Sequence, residues 1–219
     1  MSKALIRNPT SPFYGKTAKR VLGVAASLLL LALLLPMLCI AGALVGITSG
    51  RPMLFQQQRP GRHGRSFILY KFRTMCSDTN TAGIPLPESS RVTGIGRLLR
   101  RASIDELPQL FNVLRRDMSL IGPRPLLPQH LALFTDYQRR RMEVRPGLTG
   151  WAQVNGRNAL DFDLKCSLDV WYVDNFSAWL DVRILCLTVI RVAGMRDIDG
   201  QGRILSNATE SPEPPVQNG

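Results

Sequence analysis

The chain has 219 residues, enough for one domain, and a formal net charge of +12, with 23 arginines against only 5 lysines. Because arginine binds phosphate in a bidentate manner, this balance favours a phosphate-bearing partner, namely nucleic acid, anionic lipid or a phosphorylated substrate. Four separate cysteines without a C-x-x-C pair, and only two histidines, argue against a structural zinc site. The cysteines are expected to be reduced thiols in a protein that faces the cytosol.

An uncharged apolar run covers residues 21–50 and has basic residues on both flanks. It is too long for the core of a signal peptide, so we expect a retained membrane element. A helix of this length reaches roughly 45 Å, which permits a tilted span of the bilayer. Pro36 divides the run into halves of about 15 residues, each too short to cross alone. The residues leave two alternatives open, a re-entrant hairpin that turns near Pro36 and a tilted helix with a proline kink.

Residues 51–80 predict a short β segment or a loop. FILYKF, at 67–72, is aromatic and β-branched, which is typical of a strand, and the preceding RPGRHGR is a glycine-rich basic turn. Residues 78–90 are polar and rich in proline and glycine, and they predict a loop.

Helical pieces are predicted over 93–116. Apolar residues recur at helical spacing in the second piece: Leu107, Leu110, Phe111 and Leu114. Pro108 fits the first turn of that helix. The adjacent carboxylates Asp105 and Glu106 then lie at its N-terminus, where the helix dipole favours anions. Helix capping is therefore one interpretation of this pair.

The middle of the chain predicts two loops around a helix. Residues 118–128 form a loop that three prolines stiffen, and residues 145–158 form a glycine-rich loop. Between them, residues 131–144 predict an amphipathic helix.

Two helices and a tail complete the chain. Residues 161–177 predict a helix with a mixed face, and residues 180–194 predict an amphipathic helix whose apolar face suits a membrane interface. Residues 206–219 have the composition of a disordered segment.

Three motifs stand in one order along the chain: KFRTM, DELPQLFNVLRRDMSLIGPRP and RPGLTGWAQVNGR. In these motifs the chain resembles the bacterial sugar transferases, the monotopic polyprenyl-phosphate phosphoglycosyl transferases of minimal single-domain type, over residues 16–195. The resemblance implies that a phospho-sugar moves from a UDP-sugar to undecaprenyl phosphate, with UMP as the second product and Mg²⁺ as cofactor. It also implies a re-entrant helix–break–helix at the cytoplasmic face of the bacterial inner membrane. The chain departs from the family at Leu35, where a serine usually precedes the breaking proline.

The resemblance also implies how the chain is divided. We expect an N-terminal tail at 1–15, a re-entrant membrane helix at 16–50 with its break near Pro36, a cytosolic transferase domain at 51–195 and a disordered tail at 196–219. The expected fold class is an α-rich α+β fold, a single membrane-embedded domain with amphipathic interfacial helices.

The resemblance gives Asp105 and Glu106 a chemical role. Two adjacent carboxylates stay charged only when cations lie near, and arginines and Mg²⁺ would supply them. By resemblance, Asp105 is the nucleophile that attacks the β-phosphorus of the UDP-sugar and forms an aspartyl-phosphosugar, which undecaprenyl phosphate then attacks. Glu106 binds Mg²⁺ or positions the nucleophile. Both carboxylates are candidate metal ligands.

Six basic residues are candidates for binding the substrate phosphates: Lys71, Arg73, Arg100, Arg124, Arg145 and Arg157. The alternative is that these cations face lipid headgroups or pair with carboxylates such as Asp117 and Glu143. Asp169 and Tyr172 are candidates for completing the pocket, with helix packing as the alternative for both.

Two other classes of protein also account for a basic, membrane-bound chain. A tethered nucleic-acid binder would carry a recognisable module, and none is present in the sequence, so no nucleic-acid partner is expected. A structural membrane-surface protein accounts for the apolar helices but gives no role to the three motifs. The sugar, the pathway and the oligomeric state are not readable from the residues.

Overall fold

The computed structural model describes residues 15–76, 87–156 and 160–194. These residues form α-helices joined by short strands and 3₁₀ turns. The helices are α1 (Lys16–Ser49), α2 (Glu88–Arg91), α3 (Gly94–Arg101), α4 (Gln109–Leu114), α5 (Asp136–Arg139), α6 (Trp151–Val154), α7 (Phe162–Asn175) and α8 (Ala178–Ala193). The strands are β1 (Leu54–Pro60), β2 (Ser66–Phe72), β3 (Ser119–Ile121) and β4 (Gly147–Thr149). The predicted α-rich α+β class is therefore confirmed. Of the predicted tails at 1–15 and 196–219, all but residue 15 lies outside the described residues.

Helix α1 packs along the rest of the protein over its whole length. Its buried side chains recur every three or four residues on both sides of the proline: Ser27, Leu31, Leu38, Ala41 and Val45. This spacing places them on one stripe of the helix, which contacts α4, α3 and β3. The helix ends at Gly50, whose φ of 72° lies in the left-handed region that glycine adopts without strain.

Helix α1 continues through Pro36, so the predicted interruption is not present as a gap in the helix. A proline removes one backbone hydrogen bond, and the bonds of the neighbouring turns hold the helix together around it. Pro36 is exposed, and the buried stripe keeps its spacing across it. Re-entry of α1 into a membrane stays a prediction.

Among the described residues, α1 is the one helix long and apolar enough to cross a membrane, by length and composition. The face turned away from the protein carries large exposed apolar side chains: Val21, Leu22, Leu28, Leu29, Leu33, Leu35, Ile40 and Ile47. Helix α8 has a similar exposed face: Trp179, Val182, Leu185, Val189 and Ile190. Two exposed apolar faces on one protein fit a partner that is itself apolar, as a membrane is.

The two β pairs are small and lie apart in the sequence. The strand predicted at FILYKF is confirmed as part of β2, which pairs with β1 in an antiparallel hairpin. Strands β3 and β4 pair in parallel, and they replace parts of the two loops predicted at 118–128 and 145–158. Glycine permits this pairing, because a Cβ on Gly147 would lie 2.1 Å from the backbone nitrogen of Gly122. The core packs around these strands and α4, with Leu110 and Ile184 fully buried.

The amphipathic helix predicted at 131–144 is wrong as a single helix. The structure has a 3₁₀ helix at Pro128–Leu133, then α5, then a second 3₁₀ helix at Arg140–Glu143. Phe134 is extended, and a capping box between Thr135 and Gln138 starts α5 after it. The cap therefore divides a stretch that the apolar spacing alone joins together.

Candidate active site

Asp105 and Glu106 lie in a 3₁₀ turn, Ile104–Glu106, between α3 and α4. Both are buried, with 7% and 8% of their surface exposed. Ser103 begins the turn with φ 55°, in the left-handed region, so the chain changes direction just before the two carboxylates. Neither carboxylate caps a helix: α4 begins after Pro108, which has no side-chain cap. Burial of a carboxylate is unfavourable unless nearby cations or hydrogen-bond donors compensate it, and both acids have cations near them.

Glu106 is held by Arg124. The guanidinium donates from Nη1 to Oε2 at 3.2 Å and from Nη2 to Oε1, in a bidentate pair. Arg124 lies between Pro123 and Pro125 in the loop after β3, and these prolines restrict the direction of its backbone. Both oxygens of Glu106 therefore already face a cation.

Asp105 has a different environment, because no side chain or backbone group among the described residues hydrogen-bonds to its carboxylate. Burial is the main cause that raises the pKa of Asp105, to about 7, and the charge of Glu106 adds to it. The nearby cations Lys71, Arg100 and Arg124 oppose this rise. A carboxyl group with this pKa changes its charge near neutral pH, which is typical of catalytic acids and bases.

Two of the three opposing cations are positioned by β2 and α3. Lys71, on β2, lies with its Nζ 5.1 Å from the centre of the Phe55 ring, and burial lowers its pKa while Asp105 and Glu106 oppose that lowering. Arg100, near the end of α3, donates from Nε to the Thr74 hydroxyl at 2.9 Å. Both are therefore held at the side of Asp105 by the structure around it.

A cavity of about 470 Å³ opens beside these cations. Its size falls in the range of small-molecule sites, roughly 300–1,000 Å³. Its basic lining residues are Lys71, Arg73, Arg91 and Arg100. Apolar residues form much of the rest: Pro52, Leu54, Phe55, Phe72 and Met75. Arg73 also donates from Nε to the Met75 carbonyl at 3.2 Å. A cavity with several cations and an apolar wall suits an anionic ligand with an uncharged ring system.

Asp169 lies behind the site and not in the cavity. It is 2% exposed and forms a buried ion pair with Arg141, whose Nη2 also donates to the Arg124 carbonyl at 2.8 Å. Burial raises the pKa of Asp169 to about 6, and Arg141 opposes the rise. Asp169 thus supports the segment that carries Arg124.

The structure does not bring every candidate residue to this place. Arg145 and Tyr172 line a different, smaller cavity near the start of α1. Tyr172 donates to Asp181 at 2.6 Å and also contacts Lys19, so it takes part in helix packing. Arg157 lies outside the described residues.

Arg59 and Arg141 are at the site although the motifs did not single them out. Arg59, on β1, donates from Nη1 to the Pro125 carbonyl at 3.3 Å, across 66 positions of sequence. Burial and then the charge of Arg124 lower the pKa of Arg59 to about 10, and Glu106 opposes this. Arg141 is 5% exposed. Arg59 belongs to the predicted basic turn RPGRHGR, but that pattern does not identify its partner.

The described residues contain no group of three or more His, Cys, Asp or Glu side chains that could hold a metal on its own. Magnesium, however, is commonly bound by one or two carboxylates together with substrate phosphates and water. Asp105 offers an uncommitted carboxylate for this, whereas Glu106 already faces Arg124. The site therefore fits a magnesium ion that binds together with a phosphorylated ligand.

Comparison with known proteins gives a family and several relatives. A model of the family described as bacterial sugar transferase matches residues 14–195. The sugar transferase EpsL of Bacillus subtilis (strain 168) is 53% identical over 174 residues, which are 80% of this chain and 86% of that protein. The undecaprenyl-phosphate glucose phosphotransferase of Komagataeibacter xylinus is 43% identical over 203 residues, 85% of this chain and 38% of that protein.

A third relative is named for a different sugar. It is the UDP-N-acetylgalactosamine-undecaprenyl-phosphate N-acetylgalactosaminephosphotransferase of Aeromonas hydrophila, 40% identical over 187 residues. These residues are 82% of this chain and 44% of that protein. The chain thus spans less than half the length of the two relatives whose names state a reaction, and most of the length of EpsL.

Proposed function

Since the chain belongs to the bacterial sugar transferase family, we propose that it transfers a sugar-1-phosphate from a UDP-sugar to undecaprenyl phosphate. The products are undecaprenyl diphospho-sugar and UMP, and the reaction is a first membrane step of glycoconjugate synthesis. One observation carries the proposal: Asp105 is a buried carboxylate with no hydrogen bond in the described residues, near three cations and the cavity that two of them line. These surroundings support a reactive role for Asp105.

The relatives support the reaction class and leave the sugar open. Their names state glucose in one case and N-acetylgalactosamine in another, with undecaprenyl phosphate in both. Similar chains therefore use different sugars. We propose the transfer of some sugar-1-phosphate from its UDP donor and assign no particular sugar.

In the first half of the reaction, Asp105 attacks the donor. A carboxylate oxygen of Asp105 forms a bond to the β-phosphorus of the UDP-sugar, while the bond from that phosphorus to the bridging oxygen breaks and UMP leaves. Lys71, Arg73 and Arg100 line the cavity and offset the charge of the diphosphate. Arg124 stays on Glu106, which keeps the second carboxylate from repelling the phosphates.

In the second half, a phosphate oxygen of undecaprenyl phosphate attacks the same phosphorus. The bond to Asp105 breaks, and the carboxylate returns to its starting state with the proton balance unchanged. Both displacements use one site, so the kinetics are of the ping-pong type. This scheme predicts that the enzyme exchanges labelled UMP into UDP-sugar when no lipid acceptor is present.

Magnesium belongs to this proposal as the cofactor. Asp105 and Glu106 are the residues that would hold it, with Asp105 the more available of the two. When bound, the ion would neutralise and orient the diphosphate.

We also propose that the protein is monotopic at the cytoplasmic face of the bacterial inner membrane. Both ends of α1 contact the same domain: Lys19 pairs with Asp181 at 2.7 Å, and a Cβ on Gly42 would lie 3.6 Å from the Phe72 ring. A helix that crossed the bilayer would have one end on the far side, out of reach of a cytosolic domain. The contacts therefore support a helix that stays in one leaflet with its apolar face outward.

UMP release tests the reaction. The full chain is incubated with a panel of UDP-sugars, Mg²⁺ and undecaprenyl phosphate, as wild type, Asp105→Asn and Asp136→Asn. Asp136 is an exposed acid in α5, so its variant makes the same chemical change away from the site. We expect lipid-dependent UMP from at least one sugar, lost in Asp105→Asn and kept in Asp136→Asn. If Asp105→Asn stays active, the proposed nucleophile is wrong; if no sugar gives UMP, the structural membrane-surface alternative gains support.

Labelling from outside the cell tests the membrane placement. Single cysteines at positions 17 and 51, on either side of the apolar run, are treated in intact cells with an impermeant thiol reagent. A monotopic protein leaves both unlabelled until the cells are opened. Labelling of one position in intact cells would show a spanning helix.

A further inference from the structure

Four arginines meet in a second cavity, at the start of α1. They are Arg20 in α1, Arg62 in the hairpin turn, Arg116 after α4 and Arg145 before β4, and together we call them the arginine cluster. Their cavity has a volume of about 60 Å³ and shares no lining residue with the cavity that Lys71 and Arg100 line. The cluster is thus a separate concentration of positive charge, and the transfer scheme proposed above gives it no role.

None of the four guanidiniums forms an ion pair with a carboxylate in the part of the chain that the structure describes. Two of them donate to backbone: Arg62 Nε to the Glu143 carbonyl at 3.0 Å, and Arg145 Nε to the Arg116 carbonyl at 2.9 Å. Burial lowers the pKa of Arg145, and the charges of Arg20, Arg62 and Arg116 lower it further. Like charges this close to one another repel unless an anion lies among them.

The two other charged residues of the cavity have partners of their own. Lys19 pairs with Asp181 at 2.7 Å, and the carboxylate of Glu143 pairs with Arg140 at 3.2 Å, although Arg140 is shared with Asp174. Even with the carboxylate of Glu143 counted against the four guanidiniums, most of the positive charge of the cluster remains without compensation. An anion with several oxygens matches guanidinium donors better than a single-atom anion does.

The shape and walls of the cavity limit what that anion can be. A volume of about 60 Å³ is far below the roughly 300 Å³ of a typical small-molecule site, so a nucleotide sugar does not fit. Apolar side chains complete the lining: Val24, Val113, Met118, Val144 and Phe176. A small charged group with an apolar continuation suits both parts of this lining.

The cavity opens beside apolar surface. Val21 and Leu22 follow Arg20 directly in α1, and they are 62% and 59% exposed. Guanidiniums next to exposed apolar side chains are the arrangement found where a protein meets the headgroup layer of a membrane. The location thus indicates that the anion comes from the membrane and not from solution.

We propose that the arginine cluster binds the phosphate of an anionic phospholipid headgroup, at a site separate from the transfer site. The four guanidiniums hold the phosphate, and the apolar wall contacts the glycerol and the first part of the acyl chains. Binding there fixes the start of α1 at the headgroup layer and offsets the repulsion within the cluster. The inference concerns lipid binding and holds whether or not the transfer reaction is as proposed.

Thermal unfolding in a non-ionic detergent tests this site, because a ligand that binds only the folded protein raises its melting temperature. The full chain is titrated with short-chain phosphatidylglycerol and, separately, with phosphatidylcholine of the same chain length. The test variant is Arg20→Gln with Arg116→Gln, since neither side chain makes a hydrogen bond within the described residues. The matched control is Arg97→Gln with Arg139→Gln, two exposed arginines outside both cavities that give the same change of charge.

We expect phosphatidylglycerol, and not phosphatidylcholine, to raise the melting temperature of the wild type and the control. The test variant should bind phosphatidylglycerol with an apparent Kd about tenfold or more higher. An equal effect of the two lipids, or an equal loss in both variants, would show general attraction and no site. If the double variant does not fold, Arg116→Gln alone is compared with Arg97→Gln.

Two further ligands distinguish the source of the phosphate. Inorganic phosphate at the same concentration should give no rise; an equal rise would show a site for a solution anion and overturn the lipid assignment. Undecaprenyl phosphate should act no more strongly than phosphatidylglycerol. A rise that only undecaprenyl phosphate gives, and that the test variant loses, would assign the cluster to the acceptor and overturn the phospholipid proposal.

Discussion

Arg124 donates hydrogen bonds to both carboxylate oxygens of Glu106 and none to the adjacent Asp105, so the two carboxylates have different surroundings. Both oxygens of Glu106 face one guanidinium. Asp105, one residue before, is equally buried but accepts no hydrogen bond in the described residues, and its pKa rises to about 7. Two neighbouring acids with environments that separate their behaviour are the arrangement by which enzymes give one of them a reactive role.

Replacement of Arg124 by lysine tests the bidentate pair. Lysine keeps the charge but offers a single point of contact, so it cannot hold both oxygens of Glu106 at once. We expect Arg124→Lys to lower the rate of UMP release by about 10- to 100-fold, with the fold retained. The matched control is Arg139→Lys, an exposed position that should leave the rate unchanged. Equal rates for wild type and Arg124→Lys would show that the charge alone is sufficient.

The raised pKa of Asp105 predicts the pH dependence of the reaction. A nucleophilic carboxylate must be deprotonated, so kcat/KM for the UDP-sugar should rise with pH up to about 7 and then level off. Lys71 opposes the rise in pKa, so Lys71→Met should move this limb of the profile to higher pH. The measurement is kcat/KM at closely spaced pH values from 5 to 9.

Arg73 provides the control for that profile. It lines the same cavity but is not among the charges that act on Asp105, so Arg73→Met should weaken substrate binding and leave the limb in place. A limb that moves equally in both variants would mean that the pH dependence reports the substrate or another group.

The same pKa also predicts a stability effect. The folded protein holds a proton on Asp105 up to about pH 7, whereas an unfolded chain loses it near pH 4. The folded state therefore binds more protons across this window, and the free energy of unfolding falls as pH rises from about 4 to about 7. Asp105→Asn removes the buried charge, so at pH 8 it should be a few kcal/mol more stable than the wild type, and the gain should vanish near pH 4.

Thermal unfolding in detergent at pH 4.5 and pH 8 measures this difference. At this chain length, each kcal/mol corresponds to roughly 2–4 °C in melting temperature. Asp136→Asn, at an exposed acid, should show no such pH-dependent gain. A variant Asp105→Asn that is less stable than the wild type at pH 8 would indicate that the carboxylate has a structural partner.

The sequence predicts the parts of this structure that local patterns determine. The strand at FILYKF, the helices around the two carboxylates and helices α7 and α8 all follow from apolar spacing or residue type. Strands β3 and β4 are not predicted by such patterns. Each has only three residues, which are too few for a pattern, and the two strands are far apart in the sequence: Ser119 pairs with Gly147, 28 positions later. The glycines that permit this pairing are visible in the sequence, but what they approach is not.

The candidate site divides in the same manner. Lys71, Arg100 and Arg124 were candidates from three separate segments, and the structure shows all three as electrostatic neighbours of Asp105. Arg145 and Tyr172 were candidates for the same site, and they line the other cavity. Charge and motif identify which residues are available, whereas the direction of each segment decides which of them meet.

The buried pair of Arg141 and Asp169 gives a further prediction. Removal of one partner leaves a buried charge alone, so Arg141→Met and Asp169→Leu should each destabilise the protein by about 3–5 kcal/mol. The double variant, with two apolar residues, should recover most of this loss. It should remain slow in UMP release, because the bond from Arg141 to the Arg124 carbonyl is missing. Recovery of both stability and rate would show that the pair has no positioning role.

The last prediction compares Gly94 and Gly96 of α3, which differ in the space that a Cβ atom would have. A Cβ on Gly96 would lie 2.2 Å from the Thr74 carbonyl oxygen, whereas a Cβ on Gly94 would have nothing within 4 Å. Thr74 accepts a hydrogen bond from Arg100 through its hydroxyl and from the Thr93 amide through its carbonyl. Displacement of Thr74 would therefore disturb the hydrogen bond that holds Arg100, one of the cations near Asp105.

We expect Gly96→Ala to lower the free energy of unfolding by about 1–3 kcal/mol, because the backbone of Thr74 must move. It should also slow UMP release, since Arg100 loses its fixed partner. Gly94→Ala should be neutral or more stable by up to about 1 kcal/mol, because alanine favours a helix at an open position. Thermal unfolding and UMP release of the two variants are compared side by side. If both variants behave alike, the close approach of α3 to Thr74 does not hold the site in place; if only Gly96→Ala loses activity, the contact behind Arg100 is part of what positions the cation.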